Sequence, residues 1–365
     1  MSTRTTAAAA ILAESPGQLV VDEITVDEPG RGEVLVQTAA AGICHSELHF
    51  MDGAWFVPLP AVLGHEVSGI VRAVGPGVDY LSPGDAVVGC LTPFCGQCEY
   101  CLSGRLALCR SGMFARPADA PSRLEWRGKP VNQFVNLSGF AEQMLVHENT
   151  LVRIDADVPL DRAALTGCAV LTGVGAVVNT AKVPVGSSVA VIGCGGIGLN
   201  AVQGARLAGA RTIVAVDLSP AKLELASRFG ATHTVDASRE DAVTAVRAIT
   251  GDGVDFAFEA VGVKSTAEQA WRVLRRGGSA VIVGLLPTGV TIELLGTDLI
   301  DEKTMTGSNM GSNHFRVDIP RYLDLWRQGR LDLDTLISDR IKLEDVNRAY
   351  DTLRGGSVAR QLIEF

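Results

Sequence analysis

Four cysteines fall on one short stretch, Cys95-x2-Cys98-x2-Cys101-x7-Cys109. Four thiolates on one loop are the donors with which zinc closes a structural site tetrahedrally. An iron–sulfur cluster is the competing reading. The bacterial ferredoxin run, however, has three residues before its last Cys and a Pro after it, where this chain has seven residues and then Arg110. Paired disulfides are the plain alternative, suited to an oxidising compartment. A second set is dispersed: Cys44, His65 and Cys168. Two thiolates and one imidazole leave a fourth position open to water or substrate, as in catalytic zinc sites. Taken singly, each has an ordinary explanation as a packed residue, and spacing alone does not join the three.

A third constellation, Gly193-Cys194-Gly195-Gly196-Ile197-Gly198, matches G-x-G-x-x-G. It follows the apolar run Val189 to Ile192 and opens a helical stretch, the context a dinucleotide site needs. Gly193 permits a tight turn, Gly195 lets the backbone approach a pyrophosphate, and Gly198 allows close helix–strand packing. Gly196 and Ile197 begin the helix, whose free N–H groups and positive dipole end face the phosphates. Asp217 ends the next strand, nineteen residues after Gly198. An acid there bonds the adenosine ribose hydroxyls and repels a 2′-phosphate, which favours NAD over NADP. A turn or helix N-cap is its other reading. Lys222, five residues on, also reaches toward the ribose. Cys194 has only the argument of a small packed residue.

The elements that carry these residues change character along the chain. The first half holds short β-like runs at Leu19 to Val21, Glu33 to Thr38, Glu66 to Val74 and Ala86 to Gly89. Gly-Pro-Gly at 75–77 and Ser-Pro-Gly-Asp at 82–85 supply turns. After about Thr172 strands and helices alternate. Strands are expected at 189–192, 212–216, 233–235, 256–260 and 280–283, with helices to about Ala208 and at 220–229, 241–249 and 268–274. That alternation implies a parallel sheet with helices on both faces. One further helix is expected at Arg321 to Gln328. The fold class is therefore α/β plus β.

At roughly 150 residues per domain, 365 residues suggest two domains. A hydrophobic share of 47% with 20% charged residues excludes disorder as the main state. Lys plus Arg number 32 against 41 Asp plus Glu, a net charge of -9 with no basic run, which argues against nucleic acid and anionic membranes as partners. The uncharged stretches 163–181 and 183–205 are interrupted by Gly, Asn179, Asn200 and Gln203, and read as buried structure rather than membrane spans. The run Ala7 to Ala13 only weakly imitates a signal peptide, and Glu14 closes it. A cytoplasmic protein is expected, in which clustered cysteines bind metal rather than each other.

Gly42-Ile43-Cys44-His45-Ser46, then Gly64-His65-Glu66, the four-Cys loop, Gly167-Cys168 and the glycine motif follow one another in an order that resembles the zinc-dependent alcohol dehydrogenases of the medium-chain dehydrogenase/reductase superfamily. The resemblance covers essentially the whole chain. It implies a GroES-like catalytic domain, residues 1–169 and 310–365, carrying both zinc sites. A Rossmann domain with a doubly wound parallel sheet, residues 170–309, would bind NAD. The active site would lie in the cleft between them. Cys44, His65 and Cys168 look like the ligands of a catalytic zinc, and Cys95, Cys98, Cys101 and Cys109 like those of a structural one.

Further roles follow from the same resemblance. Glu66 matches the acid close behind the metal, and Glu47 the acid that orients the ligating imidazole. Ser46 and His49 match a proton relay. Thr172 matches a contact on the nicotinamide side. Arg360 matches the pyrophosphate-binding Arg, and His45 stands where the horse-liver type carries Arg and other members carry His. Val283 and Leu285 are further cofactor candidates. Trp55, Leu91, Met113, Phe140 and Leu285 would surround the substrate, with Arg110 and Arg116 near Met113. His147, His233 and His314 match no family site and are read as structural.

The implied reaction is reversible alcohol/aldehyde interconversion by hydride transfer to NAD, on hydrophobic medium-chain or aromatic alcohols, primary or secondary. The alternatives are a thiol-adduct formaldehyde dehydrogenase, an alcohol:acceptor oxidoreductase with tightly bound NAD, and a catalytically silent NAD-binding protein on the same scaffold. A non-zinc reductase of the same fold would not need the cysteine sets. The segment 113–134 resembles the extra loop of dimeric members, so a homodimer is expected, with a tetramer as the alternative. Asp217 gives the first prediction. Asp217→Gly should narrow the gap in kcat/KM between NAD and NADP; a parent enzyme that prefers NADP would refute the assignment.

Overall fold

The computed structural model describes residues 4–117, 119–356 and 359–365. Ala118, inside the 113–134 segment, lies outside the described residues.

The strand Ser188–Ile192 is buried along its whole length, as a β-branched run without alternation should be between two helical layers. It lies inside a six-stranded all-parallel sheet. The spatial order is His233–Asp236, Thr212–Asp217, Ser188–Ile192, Val254–Glu259, Leu274–Ile282, Thr304–Gly307. In chain order this is 3-2-1-4-5-6, the doubly wound arrangement. The order reverses between Ser188–Ile192 and Val254–Glu259, so a crevice opens beyond their carboxyl ends. Two expected boundaries shift here. The helix expected at 268–274 is Lys264–Arg272, and the strand expected at 280–283 is Leu274–Ile282. Gly277 and Gly278 sit inside this strand, whose register against Val254–Glu259 shifts there.

The rest of the chain is mostly antiparallel. In one sheet the order is Leu151–Ile154, Ala86–Gly89, Glu66–Val74, Glu33–Ile43, Arg360–Glu364, Ile337–Ile341, with Gln143–His147 also paired to Glu33–Ile43. Thr5–Leu12, Leu19–Val26, Leu124–Trp126, Lys129–Gln133 and Ala61–Val62 close into a small barrel. Register in the larger sheet sets where the chemistry gathers. Gly42 pairs with Glu66, and Ile43 pairs with Gln361. Cys44, His65 and Arg360 therefore emerge at one end of three adjacent strands. Slipping either ladder by one residue would send these side chains to the opposite face.

A helix of 22 residues, Leu160–Ala181, has a mean hydropathy of 1.5 in its most apolar window, long and apolar enough to cross a membrane. That window is 83% buried inside the protein. It widens into a π-turn at Thr166–Val170, around Cys168; such turns bend a helix locally and recur at functional positions. The last long helix runs Phe315–Arg327, starting before the expected 321. Pro320 reads as a stop because it cannot donate to the carbonyl four residues back, yet tertiary packing of Phe315, Ile319, Tyr322 and Leu323 carries the helix through it.

Within the 113–134 segment, Leu124–Trp126 and Lys129–Gln133 form a hairpin of the barrel, and the described residues before it are tied down by ion pairs. Arg116 Nη2 lies 2.6 Å from Glu33 Oε2, Arg123 Nε 2.7 Å from Glu33 Oε1, and Arg116 Nη1 2.6 Å from Asp27. Glu33 is 2% exposed. Burial alone would raise its pKa from 4.5, but hydrogen bonds from Arg116 and Arg123 bring it below that value. A depressed folded-state pKa contributes stability above the unfolded value, lost as pH falls through the folded one. Removing one partner of a buried pair costs about 3–5 kcal/mol. Glu33→Ala should therefore lose about 3 kcal/mol in denaturant unfolding at pH 7, and the gap to the parent should shrink below about pH 4.5. A loss under about 1 kcal/mol, the scale of a surface pair, would mean that Glu33 does not anchor the hairpin.

Candidate active site

Cys44 ends the strand Glu33–Ile43 and stands at the N-cap of the helix His45–Met51, His65 precedes the strand Glu66–Val74, and Cys168 lies in the π-turn. Their ligand atoms lie within 4.8 Å of one another, and all three residues are buried. His65 Nε2 faces Cys168 Sγ at 3.1 Å, and His65 Nδ1 bonds Glu47 Oε1 at 2.5 Å. With Nδ1 donating to Glu47, Nε2 is left as the ligand atom. A shared hydrogen bond lowers the Cys44 thiol pKa well below its usual value and raises that of Cys168. Glu66 is fully buried, and neither carboxylate oxygen accepts a hydrogen bond. Burial pushes its pKa up to about 8, against the pull of Arg360, whose Nε lies 3.4 Å away. Two sulfurs, one imidazole nitrogen and an unsatisfied acid beside them fit a zinc ion.

The second set also converges. The Sγ atoms of Cys95, Cys98, Cys101 and Cys109 lie within 4.8 Å of one another. All eight cysteines are free thiols. Backbone N–H groups of Gln97 and Cys98 hold the Cys95 thiol down to about 6, which favours the thiolate that binds metal.

Cys44 of the metal triad and the glycine motif line one cleft of about 720 Å³. Its walls include Cys44, His45, Ser46 and His49 from the helix His45–Met51 and its N-cap, and Gly193, Gly195, Gly196 and Ile197 from the turn and helix that follow Ser188–Ile192. Asp217, Lys222, Val283, Leu285 and Arg360 line it as well. Gly193 has φ +94°, in the left-handed region. A Cβ on Gly198 would lie 1.7 Å from the Gly193 carbonyl, whereas one on Gly195 would meet nothing within 4 Å. The first packs helix to strand, and the second leaves backbone open to the cleft. The helix Gly196–Leu207 has no side-chain cap at Gly195, so its first N–H groups are free for an anion. Asp217 is itself held by the N–H groups of Cys194 at 2.7 Å and Ser219 at 2.9 Å.

Arg360 belongs to both halves. Its Nη1 donates to the Ile43 carbonyl at 3.4 Å and its Nη2 to Cys44 Sγ at 3.6 Å. A Cβ on Gly196 would stand 2.8 Å from its guanidinium carbon.

Other expected residues are not gathered there. Thr172 is buried behind the cleft, donating to Met310 Sδ at 3.3 Å. Of the expected substrate set only Leu285 lines the cleft. Phe140 is in the core, with its ring centroid 6.3 Å from that of Tyr350. Trp55 packs on Phe50. Leu91 lines a separate cavity of about 330 Å³ with Cys109, Arg110 and Phe114, and Met113 is 44% exposed. Conversely, Ala260, Val261, Thr266 and Gln269 line the cleft without any sequence signal having singled them out. Their signal was position, at and beyond the carboxyl end of the fourth parallel strand.

Two family models match the chain: the alcohol dehydrogenase GroES-like domain over residues 30–156 and the zinc-binding dehydrogenase over residues 196–327. The chain belongs to the zinc-dependent alcohol dehydrogenases of the medium-chain dehydrogenase/reductase superfamily. It is 40% identical to putative alcohol dehydrogenase D of Mycobacterium tuberculosis, over 99% of both chains. It is 36% identical to S-(hydroxymethyl)glutathione dehydrogenase of Paracoccus denitrificans, again over 99% of both. The structure of benzyl alcohol dehydrogenase from Acinetobacter calcoaceticus superposes with a TM-score of 0.93 at 34% identity, covering 99% of each chain. The GroES-like sheet with its barrel and the Rossmann sheet are thus the two halves of a zinc-dependent alcohol oxidoreductase.

The two cysteine sets should separate by mutation. In this dehydrogenase Cys44→Ser should abolish activity while the protein stays folded and keeps one zinc. Cys98→Ser should chiefly impair folding or assembly. Metal analysis beside circular dichroism checks both, and iron in active protein would refute the zinc assignment.

Proposed function

We propose that the chain is an NAD-dependent alcohol dehydrogenase with one catalytic and one structural zinc, acting on hydrophobic medium-chain or aromatic alcohols and their aldehydes. The observation that carries this reading is the cleft that Cys44 of the metal triad shares with the glycine motif. Cys44, His65 and Cys168 would hold the catalytic zinc, Cys95, Cys98, Cys101 and Cys109 the structural one, and the motif with Asp217 the NAD. When bound, the zinc supplies a Lewis acid for the alcohol oxygen and NAD the hydride acceptor.

The chain's own residues supply the rest. Glu47 fixes the tautomer and orientation of His65. Ser46 and His49, both on the cleft wall, pass the alcohol proton toward solvent as general acid–base groups. The free N–H groups of the helix Gly196–Leu207, with His45 and Arg360 beside them, receive the pyrophosphate. Asp217 receives the adenosine ribose with Lys222, and its charge opposes a 2′-phosphate. Val283 and Leu285 are apolar groups on the cleft wall, and exclude water from the transfer. Thr172 bonds Met310 Sδ and does not line the cleft.

A homodimer in the cytoplasm completes the proposal. Thr304–Gly307 is an edge strand, and unpaired edges invite a partner strand. Leu295, Leu299 and Ile300 stand exposed just before it, Ile300 by 85%. Eight free thiols suit a reducing compartment.

The substrate class rests on the family resemblance, in which thiol-adduct dehydrogenases carry an acid early in the pocket and an Arg soon after the last zinc-loop Cys, where this chain has Trp55 and Met113. Arg116 is engaged by Glu33 and Asp27, so it is not available to a charged thiol adduct. Trp55 and Met113, neither of them on the cleft wall, carry no charge to pair with such an adduct. A buried polar group left unpaired costs about 1–3 kcal/mol, up to roughly a hundredfold in specificity. Comparing kcat/KM for benzyl alcohol, octanol, ethanol and S-hydroxymethylglutathione with NAD tests the proposal. Benzyl alcohol or octanol should exceed the adduct by about tenfold or more. If the adduct or ethanol is the best of the four, the substrate assignment is wrong, and no turnover with any of them would remove the activity itself.

A further inference from the structure

Met310, Gly311 and Ser312 are three consecutive left-handed residues, at φ 49°, 70° and 48°. Two of the three are not glycine. A run of this kind persists only where its surroundings over-determine it, and such strain collects at functional sites. The turn presses against the helix that carries Cys168. A Cβ on Gly311 would lie 2.2 Å from the Leu171 carbonyl and 3.0 Å from that of Thr172. Asn179 Nδ2 donates to the Gly311 carbonyl at 3.3 Å, and Thr180 Oγ1 bonds Ser312 Oγ at 2.8 Å. Just before the turn, the Ser308 N–H donates to the Ile282 carbonyl at 3.0 Å, tying it to the strand end that leads into Val283 and Leu285 on the cleft wall.

Two side chains bracket this turn, and both reach the four-cysteine lobe more than 200 residues away in sequence. Asn309 Nδ2 donates to the Ala107 carbonyl at 2.7 Å, and His314 Nε2 donates to the Gly104 carbonyl at 2.8 Å. Both carbonyls lie between Cys101 and Cys109, on the backbone that the lobe's metal would rigidify. Neither side chain lines the cleft.

We infer that Asn309 and His314 are positioning residues through which the four-cysteine lobe holds the turn 310–312, and with it the Cys168 helix and the Ile282–Leu285 wall, in the geometry needed for catalysis. The lobe then stabilises the active site as well as itself. The inference rests on the reading of the cleft as an NAD site, and deepens it by giving the lobe a part in cofactor binding.

The test uses full-length Asn309→Ala, His314→Ala, the double variant and His314→Gln. The measurements are zinc per chain, thermal melting, the NADH dissociation constant by fluorescence, and the rate at which a chelator strips zinc from the Cys44–His65–Cys168 site. Each variant should keep two zincs and melt close to the parent. The NADH dissociation constant should rise about threefold for one lost bond and about tenfold for both, the scale of a net hydrogen bond. Zinc release from the triad should quicken in parallel. His314→Gln, which keeps an N–H donor, should recover most of the loss. If the double variant is too unstable to measure, the single variants decide. NADH binding within twofold of the parent together with unchanged zinc release overturns the inference. A parent that binds no NADH sinks the cofactor reading alone, and zinc release then decides this one.

Discussion

A buried guanidinium holds the two halves of the active site in register. Arg360 is 2% exposed and has Glu66, Cys44 and the Gly196 backbone around it. Taking a cation out of water costs several kcal/mol unless opposite charge and hydrogen-bond acceptors offset it. The offset here comes from two other chain segments: Glu66 after His65, and the Ile43 carbonyl with the Cys44 thiol. The cation is stable only where those segments meet, and that meeting point is also where the metal ligands and the glycine motif face each other.

The same convergence explains the polar groups left over. Glu66 has two buried oxygens without hydrogen bonds, and Glu47 has one. Unsatisfied buried acids are costly in a finished core, but they are expected around a site built to receive a cation. The pKa of Cys44 is drawn down and that of Cys168 up by their mutual contact, and metal binding would release the thiol protons of both. The site is thus poised for its ion, and the surrounding strands provide the stability that the acids remove.

Much of this was legible in the residues. The four-cysteine spacing is local, and one loop suffices to bring its thiols together. The glycine motif is local as well: tight turn, open backbone and close packing each need glycine at one place, and Gly193, Gly195 and Gly198 occupy those places. The Rossmann strands were readable because a strand buried on both faces leaves a continuous apolar run, as Ser188–Ile192 does. The boundaries that moved are those where one residue argues against its neighbours. Pro320 stands inside a helix because the apolar face around it is buried, and Gly277 and Gly278 stand inside a strand that tolerates a register shift.

The sequence by itself determined the donor sets, the cofactor motif and the family, because each rests on residue types at short spacing or on their order along the chain. It did not determine which residues share a cavity. Trp55, Leu91, Met113 and Phe140 are apolar residues whose lining role depends on packing between segments far apart in the chain, and the structure sends them to the core, the surface and a second cavity. His314 looked structural because its partner, the Gly104 carbonyl, is a backbone group that no pattern of side chains announces. Arg360 and Glu66 are nearly 300 positions apart, and only strand register brings them to 3.4 Å. Composition and periodicity record what each residue can do; the pairing of strands and the burial that follows decide what it meets.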